Sequence, residues 1–79
     1  MSEEQIKILS KNGYEVLPSI NYIRNKNNDY PIACIEYDII NKKFILNLLK
    51  ISLLKKDEIQ SAENEIINAF NIVKQLNQY

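Results

Sequence analysis

The chain has 79 residues, with 10 basic and 10 acidic side chains and a formal net charge of zero, and this length limits it to one small core. It contains no histidine, no tryptophan, one cysteine (Cys34) and one glycine (Gly13). These counts exclude histidine-based nucleophilic catalysis, zinc and iron–sulfur centres, and glycine-rich phosphate loops. We therefore expect a single α+β domain over residues 1–79, with no catalytic residue, metal site or cofactor.

Cysteine usage and the N-terminal sequence bear on the compartment. One cysteine cannot form an internal disulfide, which favours a reducing environment. The opening Met-Ser-Glu-Glu-Gln lacks the basic and apolar regions of a secretory signal, and no uninterrupted apolar run approaches the length of a membrane span. We expect a cytoplasmic protein with no membrane partner.

The first predicted element is a short helix over residues 2–12. Ser2 and Gln5 have the spacing of a capping box, and Ile6 and Leu9 share one helical face. Gly13 follows the last periodic residue, where a left-handed conformation ends many helices.

Two strands are predicted next. β-branched and aromatic residues indicate an edge strand over residues 14–24, which Pro18 divides into 14–17 and 19–24 because proline cannot donate to a ladder. A polar loop over residues 25–29 precedes a second strand over residues 32–40. Its alternation places one set of side chains on one face, Ala33, Ile35, Tyr37 and Ile39, and another set on the opposite face, Cys34, Glu36 and Asp38.

A third strand is predicted over residues 43–51, after a two-residue turn at Asn41-Lys42. Both of its faces are apolar, with Phe44, Leu46 and Leu48 on one and Ile45, Leu49 and Ile51 on the other. One interpretation is a central strand covered on both sides, or a helix over residues 44–55; the other is a surface for a partner. For the second interpretation, the predicted partner-binding residues are Tyr37, Phe44, Leu46 and Leu48.

The last predicted element is a helix from Asp57 to Gln78, with Asp57 as N-cap and Gln60 three residues later. Its apolar seam has heptad-like spacing, and Ile67 and Phe70 widen that seam on one side, which favours packing onto a sheet over pairing with another helix. The seam comprises Ile59, Ala62, Ile66, Ala69, Val73 and Leu76. The predicted fold is α-β-β-β-α, a three-stranded antiparallel meander with the long helix on one face.

Polar residues give weaker signals. Glu36 and Asp38 have the spacing of an acid–base or magnesium-binding carboxylate pair, but a solvated strand face has the same pattern. Cys34 lies beside Glu36, whose carboxylate disfavours a thiolate, so we expect an inert thiol. Residues 24–56 carry a local net charge of +4 and residues 57–79 one of −3.

The predicted element order, with Lys55 and Lys56 just ahead of the second helix and Pro18 and Tyr22 after the first, resembles the double-stranded RNA-binding domain. The loop ending in Pro31 keeps only the proline of that family's Gly-Pro-x-His element. The resemblance implies phosphate contacts from lysines at the start of the second helix.

The expected function is that of a small non-enzymatic protein-binding module: an inhibitor, an adaptor or an accessory subunit, of the kind that phages and mobile elements encode. The expected partner is another protein, with self-association as a homodimer. Nucleic acid is the alternative partner, with phosphate contacts from four lysines: Lys42, Lys43, Lys55 and Lys56.

Overall fold

Two β-hairpins lie between a short N-terminal helix and a long C-terminal helix. The computed structural model describes residues 1–49 and 54–78. The elements in chain order are α1 (Glu3–Lys11), β1 (Tyr14–Leu17), a 3₁₀ turn (Pro18–Ile20), β2 (Tyr22–Asn25), β3 (Ala33–Asp38), β4 (Lys43–Leu48) and α2 (Lys56–Leu76).

Helix α1 begins and ends as its sequence predicts. The Gln5 N–H donates to Ser2 Oγ at 3.2 Å, and the Ser2 N–H donates to Gln5 Oε1 at 2.8 Å, which completes the capping box. Gly13 has a φ of +87°, a conformation that costs a residue with a Cβ. The Gln5 side-chain amide also donates to the Leu76 carbonyl at 3.2 Å and so ties α1 to the end of α2.

The first hairpin corrects the prediction of one divided edge strand. β1 and β2 pair antiparallel, with Tyr14 opposite Asn25 and Leu17 opposite Tyr22. Pro18 starts the 3₁₀ turn between them, because its fixed φ suits a turn and its missing N–H does not suit a ladder. Asn21 takes the left-handed conformation that closes this turn, with a φ of 53°.

The second hairpin pairs β3 with β4, from Ala33 opposite Leu48 to Asp38 opposite Lys43. The predicted strand over residues 32–40 is too long at its C-terminal end, since Ile39 and Ile40 lie in the turn, 62% and 91% exposed. The predicted two-residue turn is also wrong: residues 39–42 connect the strands.

The predicted three-stranded meander is wrong in its strand count and pairing. The described residues form two separate two-stranded antiparallel sheets, β1-β2 and β3-β4, because β2 and β3 approach each other without forming a ladder. The coarser prediction of an α+β fold with a short first helix, antiparallel strands and a long last helix is confirmed.

Helix α2 begins at Lys56 and ends at Leu76, so the predicted N-cap at Asp57 and the predicted end at Gln78 are each wrong by two residues. Lys55 is the N-cap residue, and its N–H donates to Glu58 Oε2 at 3.4 Å. The predicted seam is buried or half-buried from Ala62 to Leu76, whereas Ile59 is 41% exposed. Ile67 and Phe70 were expected to widen the buried seam, but they are 51% and 52% exposed.

The core lies where α2 crosses the inner face of the β3-β4 hairpin, with α1 and β1 closing one side. Its buried residues are Leu9, Tyr14, Ala33, Ile35, Phe44, Ala69, Val73 and Leu76. The alternative of a helix over residues 44–55 is wrong for residues 44–48, which lie in β4. The predicted place of Ile51 and the structure of residues 50–53 lie outside the described residues. Neither helix in the described part of the chain has the length and apolarity needed to cross a bilayer.

Candidate functional site

The four predicted partner-binding residues share the inner face of the β3-β4 hairpin. Tyr37 lies opposite Phe44, and their rings are 5.0 Å apart between centroids with an interplanar angle of 59°. Phe44 is only 1% exposed, so its side chain belongs to the core and is not available to a partner. Tyr37 and Leu46 are half-buried, and Leu48 is 40% exposed.

The main chain of β4 alternates between two directions. The Leu49 N–H donates to the Ile32 carbonyl, just before β3, at 2.7 Å. The main-chain N–H and C=O groups of the odd-numbered β4 residues therefore point toward β3. In an antiparallel pair the intervening residues direct both N–H and C=O away from the partner strand. Phe44, Leu46 and Leu48 therefore present their main-chain groups on the outer side of β4.

Asn77, just after α2, occupies the first of these outward positions. The Phe44 N–H donates to Asn77 Oδ1 at 2.8 Å, and Asn77 Nδ2 donates to the Phe44 carbonyl at 2.9 Å. The side-chain amide thus replaces a neighbouring strand for one residue. Within residues 1–49 and 54–78, no group makes an equivalent hydrogen bond to the outward main chain of Leu46 or Leu48.

The position of Asn77 also shows which side of α2 borders this outer edge. Residues seven and eighteen positions earlier, Phe70 and Ile59, lie on the same side of the helix because both spacings are close to whole numbers of turns. They are 52% and 41% exposed. The Lys74 ammonium lies 5.8 Å from the centroid of the Phe70 ring, next to the exposed apolar side chains on this side of α2.

We use the name β4 edge for the outward main chain of Leu46 and Leu48 together with the exposed side chains of Leu48 and Phe70. Sequence reasoning identified Leu48 but missed Asn77, because nothing in the pattern distinguishes it from the many other asparagines. It assigned Phe70 to the core, although the seven-residue spacing to Asn77 was visible in the sequence.

The Glu36 and Asp38 carboxylates are engaged in local structure. Glu36 Oε1 accepts a hydrogen bond from Asn47 Nδ2 at 3.1 Å across the hairpin. Asp38 accepts hydrogen bonds from the side chain and main chain of Asn41 and from the Ile40 N–H, and those bonds lower the pKa of its carboxyl. Both groups therefore stabilise the β3-β4 hairpin.

Cys34 lies on the outer face of β3, on the side opposite α2. Partial burial raises the pKa of its thiol, and the carboxylates of Glu36 and Glu65 raise it further. The direction agrees with the expectation from the sequence that the thiolate is disfavoured.

The four lysines predicted to contact nucleic acid lie near the two ends of α2. Lys43 adjoins Phe44, which is bonded to Asn77 at the C-terminal end of α2, and Lys42 lies in the adjacent turn with a φ of 53°. Lys55 and Lys56 lie at the N-terminal end. A helix of 21 residues is about 30 Å long, so the structure does not gather these lysines into one patch. RNA binding through them stays a prediction.

A groove of about 530 Å³ separates β2 from β3. Its walls are mixed: Tyr22 and Arg24 come from β2, and Cys34 and Glu36 from β3. Arg24 pairs with Glu15 at 3.7 Å on the neighbouring strand, and both side chains are about half exposed, so this pair contributes little.

Comparisons with protein-family models, with curated proteins and with solved structures found no match to this chain.

Proposed function

We propose that this chain is a non-enzymatic protein-binding module that acts through the β4 edge. The observation that supports the proposal most is the combination of two outward main-chain positions, at Leu46 and Leu48, with exposed apolar side chains on the bordering helix. Such a module would serve as an inhibitor, an adaptor or an accessory subunit. The single cysteine supports a cytoplasmic place of action.

The energetics favour a covered edge. An edge strand with free N–H and C=O groups is a template for another strand, and natural proteins protect such edges with charges, proline, bulges or a covering element. Here Asn77 protects Phe44, but Leu46 and Leu48 carry neither charge nor proline. A partner strand would add main-chain hydrogen bonds, while contact with Leu48 and Phe70 would remove apolar surface from water.

Site-specific photo-cross-linking tests the proposal. A benzoylphenylalanine placed at Leu48 in living cells of the encoding organism should give one or a few discrete protein adducts. The matched control is the same probe at Ile20, a 66% exposed residue in the first hairpin turn. Adducts at position 48 and not at position 20 support a binding role for the β4 edge. Equal labelling at both positions, or none at 48, contradicts it.

A further inference from the structure

We propose that the β4 edge binds a second copy of this chain, in a two-fold dimer whose two β4 strands pair antiparallel. The inference depends on the proposed function and names its partner. It follows from three features of the described residues: the register that Asn77 permits, the distance between the two α2 helices, and the charges that meet across the axis.

Asn77 restricts the register. Residues can form a hydrogen-bonded antiparallel pair only if both direct their main-chain groups toward the other strand. Among the described residues of β4, that condition is met by Phe44, Leu46 and Leu48. A two-fold axis through Leu46 would pair Phe44 with the partner's Leu48, but Asn77 already holds both main-chain groups of Phe44. An axis through Asn47 instead pairs Leu46 with the partner's Leu48, whose outward main-chain groups have no hydrogen-bond partner among residues 1–49 and 54–78.

Side chains agree with the axis through Asn47. On the inner face, Leu46 meets the partner's Leu48. On the outer face, Ile45 meets the partner's Leu49, and these two residues are 37% and 40% exposed in one copy. The two Asn47 side chains face each other at the axis. No like-charged side chains on β4 are opposed within this register, and such opposition would be destabilising.

The helices would meet at a normal packing distance. Helix α2 contacts both β3 and β4, so its axis lies roughly above the line between them. With strands about 4.8 Å apart, that line is about 4.8 Å from an axis midway between the two β4 strands. The two α2 helices would then lie about 9.6 Å apart, within the usual range of about 8–10 Å.

Two anchors place Phe70 level with the axis. Asn77 is hydrogen-bonded to Phe44, which lies three strand residues, or about 10 Å, from Asn47. The same distance along α2 is about seven residues, and the residue seven positions before Asn77 is Phe70. The Ile32 N–H donates to Glu65 at 3.2 Å, and Ile32 lies beside Leu49. Leu49 is two strand residues, or about 7 Å, from Asn47, which corresponds to about four or five helical residues. Counting these from Glu65 also gives residue 69 or 70.

Charged side chains on the two α2 helices are then complementary across the two-fold axis. If the antiparallel α2 helices meet at Phe70, Lys74 lies within about one helical turn of the partner's Glu63. The two-fold axis repeats this contact on the other side. Phe70, now half exposed beneath Lys74, would contact the partner's Phe70 and lose its contact with water.

Disulfide trapping tests the register directly. Residues opposed in a non-hydrogen-bonded antiparallel pair have Cα atoms about 4.5 Å apart, which a disulfide spans. In a Cys34→Ser background, we expect Asn47→Cys to give a covalent dimer with oxidised glutathione. The matched control is Ile45→Cys in the same background, since two such residues would lie about 13 Å apart in this register. A dimer from both variants or from neither overturns the proposal.

Charge substitution at Phe70, near the two-fold axis, tests the same dimer without a covalent cross-link. Phe70→Asp and Phe70→Lys should each be monomeric in sedimentation equilibrium at concentrations where the wild type is dimeric, and an equimolar mixture should form a heterodimer. The control variants are Asn71→Asp and Asn71→Lys. Asn71 is exposed and lies about 100° around the helix from Phe70, so both variants should form the same dimer as the wild type. If neither Phe70 variant folds, the cysteine pair still decides the question.

The outcomes separate this inference from the proposed function. A monomeric wild type at millimolar concentration, together with discrete adducts of another protein at position 48, overturns the dimer and leaves the binding role of the β4 edge intact. Adducts of the chain with itself support both. No adduct at position 48 overturns the proposed function.

Discussion

Replacing Asn77 by alanine should destabilise the protein more than its exposed position suggests. The variant removes two hydrogen bonds to the Phe44 main chain, at 2.8 and 2.9 Å. A typical intramolecular hydrogen bond contributes about 0.5–1.5 kcal/mol, and the edge main chain can exchange its lost partner for water, which keeps the cost near the sum of two such bonds. We expect a loss of about 2 kcal/mol in the free energy of unfolding, against a total of about 4–12 kcal/mol for a chain of this length.

The assay is urea unfolding followed by circular dichroism, at one fixed protein concentration because dimerisation would make stability concentration-dependent. The matched control is Gln78→Ala, an exposed neighbour whose side chain makes no hydrogen bond within the described residues. Thermal midpoints should fall by roughly 8–16 °C for Asn77→Ala, since about 1 kcal/mol corresponds to about 4–8 °C at this size. Equal stability of the two variants would refute the role given to Asn77.

Four further predictions concern the fold and its titrating groups. Gly13→Ala should cost about 1–2 kcal/mol in urea unfolding because of the positive φ, and Gly13→Asn should cost less; equal losses would contradict this. Asp38→Asn should reduce stability at pH 6, and the difference should shrink as the pH falls below the ordinary carboxyl pKa of 3.8, because a carboxyl with a lowered pKa stabilises the fold while it is ionised and loses that effect on protonation. Native Cys34 should react with iodoacetamide at pH 8 more slowly than in urea, since its pKa is raised, and equal rates would contradict this. Phe44→Ala should cost about 3–5 kcal/mol in denaturant titrations, enough to unfold a marginal protein, whereas Phe70→Ala should cost about 1 kcal/mol or less.

Local chemistry in the sequence was sufficient to predict several elements. The capping box at Ser2 and Gln5, the left-handed Gly13 and the inner face of β3 each depend on a few neighbouring residues, and all three are confirmed. The buried seam of α2 from Ala62 onward is also confirmed, because its spacing reports one helical face.

The errors concern features that depend on distant parts of the chain. Pro18 marks a break equally well in a bulged edge strand and in a hairpin turn, and only the pairing of Tyr14 with Asn25 distinguishes them. Phe70 fits the spacing of the seam, but it is 52% exposed on the side of α2 that carries Asn77, which borders the outer side of β4. The amide of Asn77 gives no sequence signal, since its importance comes from its place beside Phe44.

Amide hydrogen exchange along β4, measured by NMR at low micromolar and at millimolar concentrations, tests the central claim most directly. The account predicts that the amides of Leu46 and Leu48 exchange rapidly in dilute solution and become protected as concentration rises. The Phe44 amide, bonded to Asn77, and the Ile45 amide, which faces β3, should be protected throughout. Rapid exchange at Leu46 and Leu48 at every concentration would contradict self-pairing of the β4 edge, and protection of both in dilute monomer would show that no free edge exists.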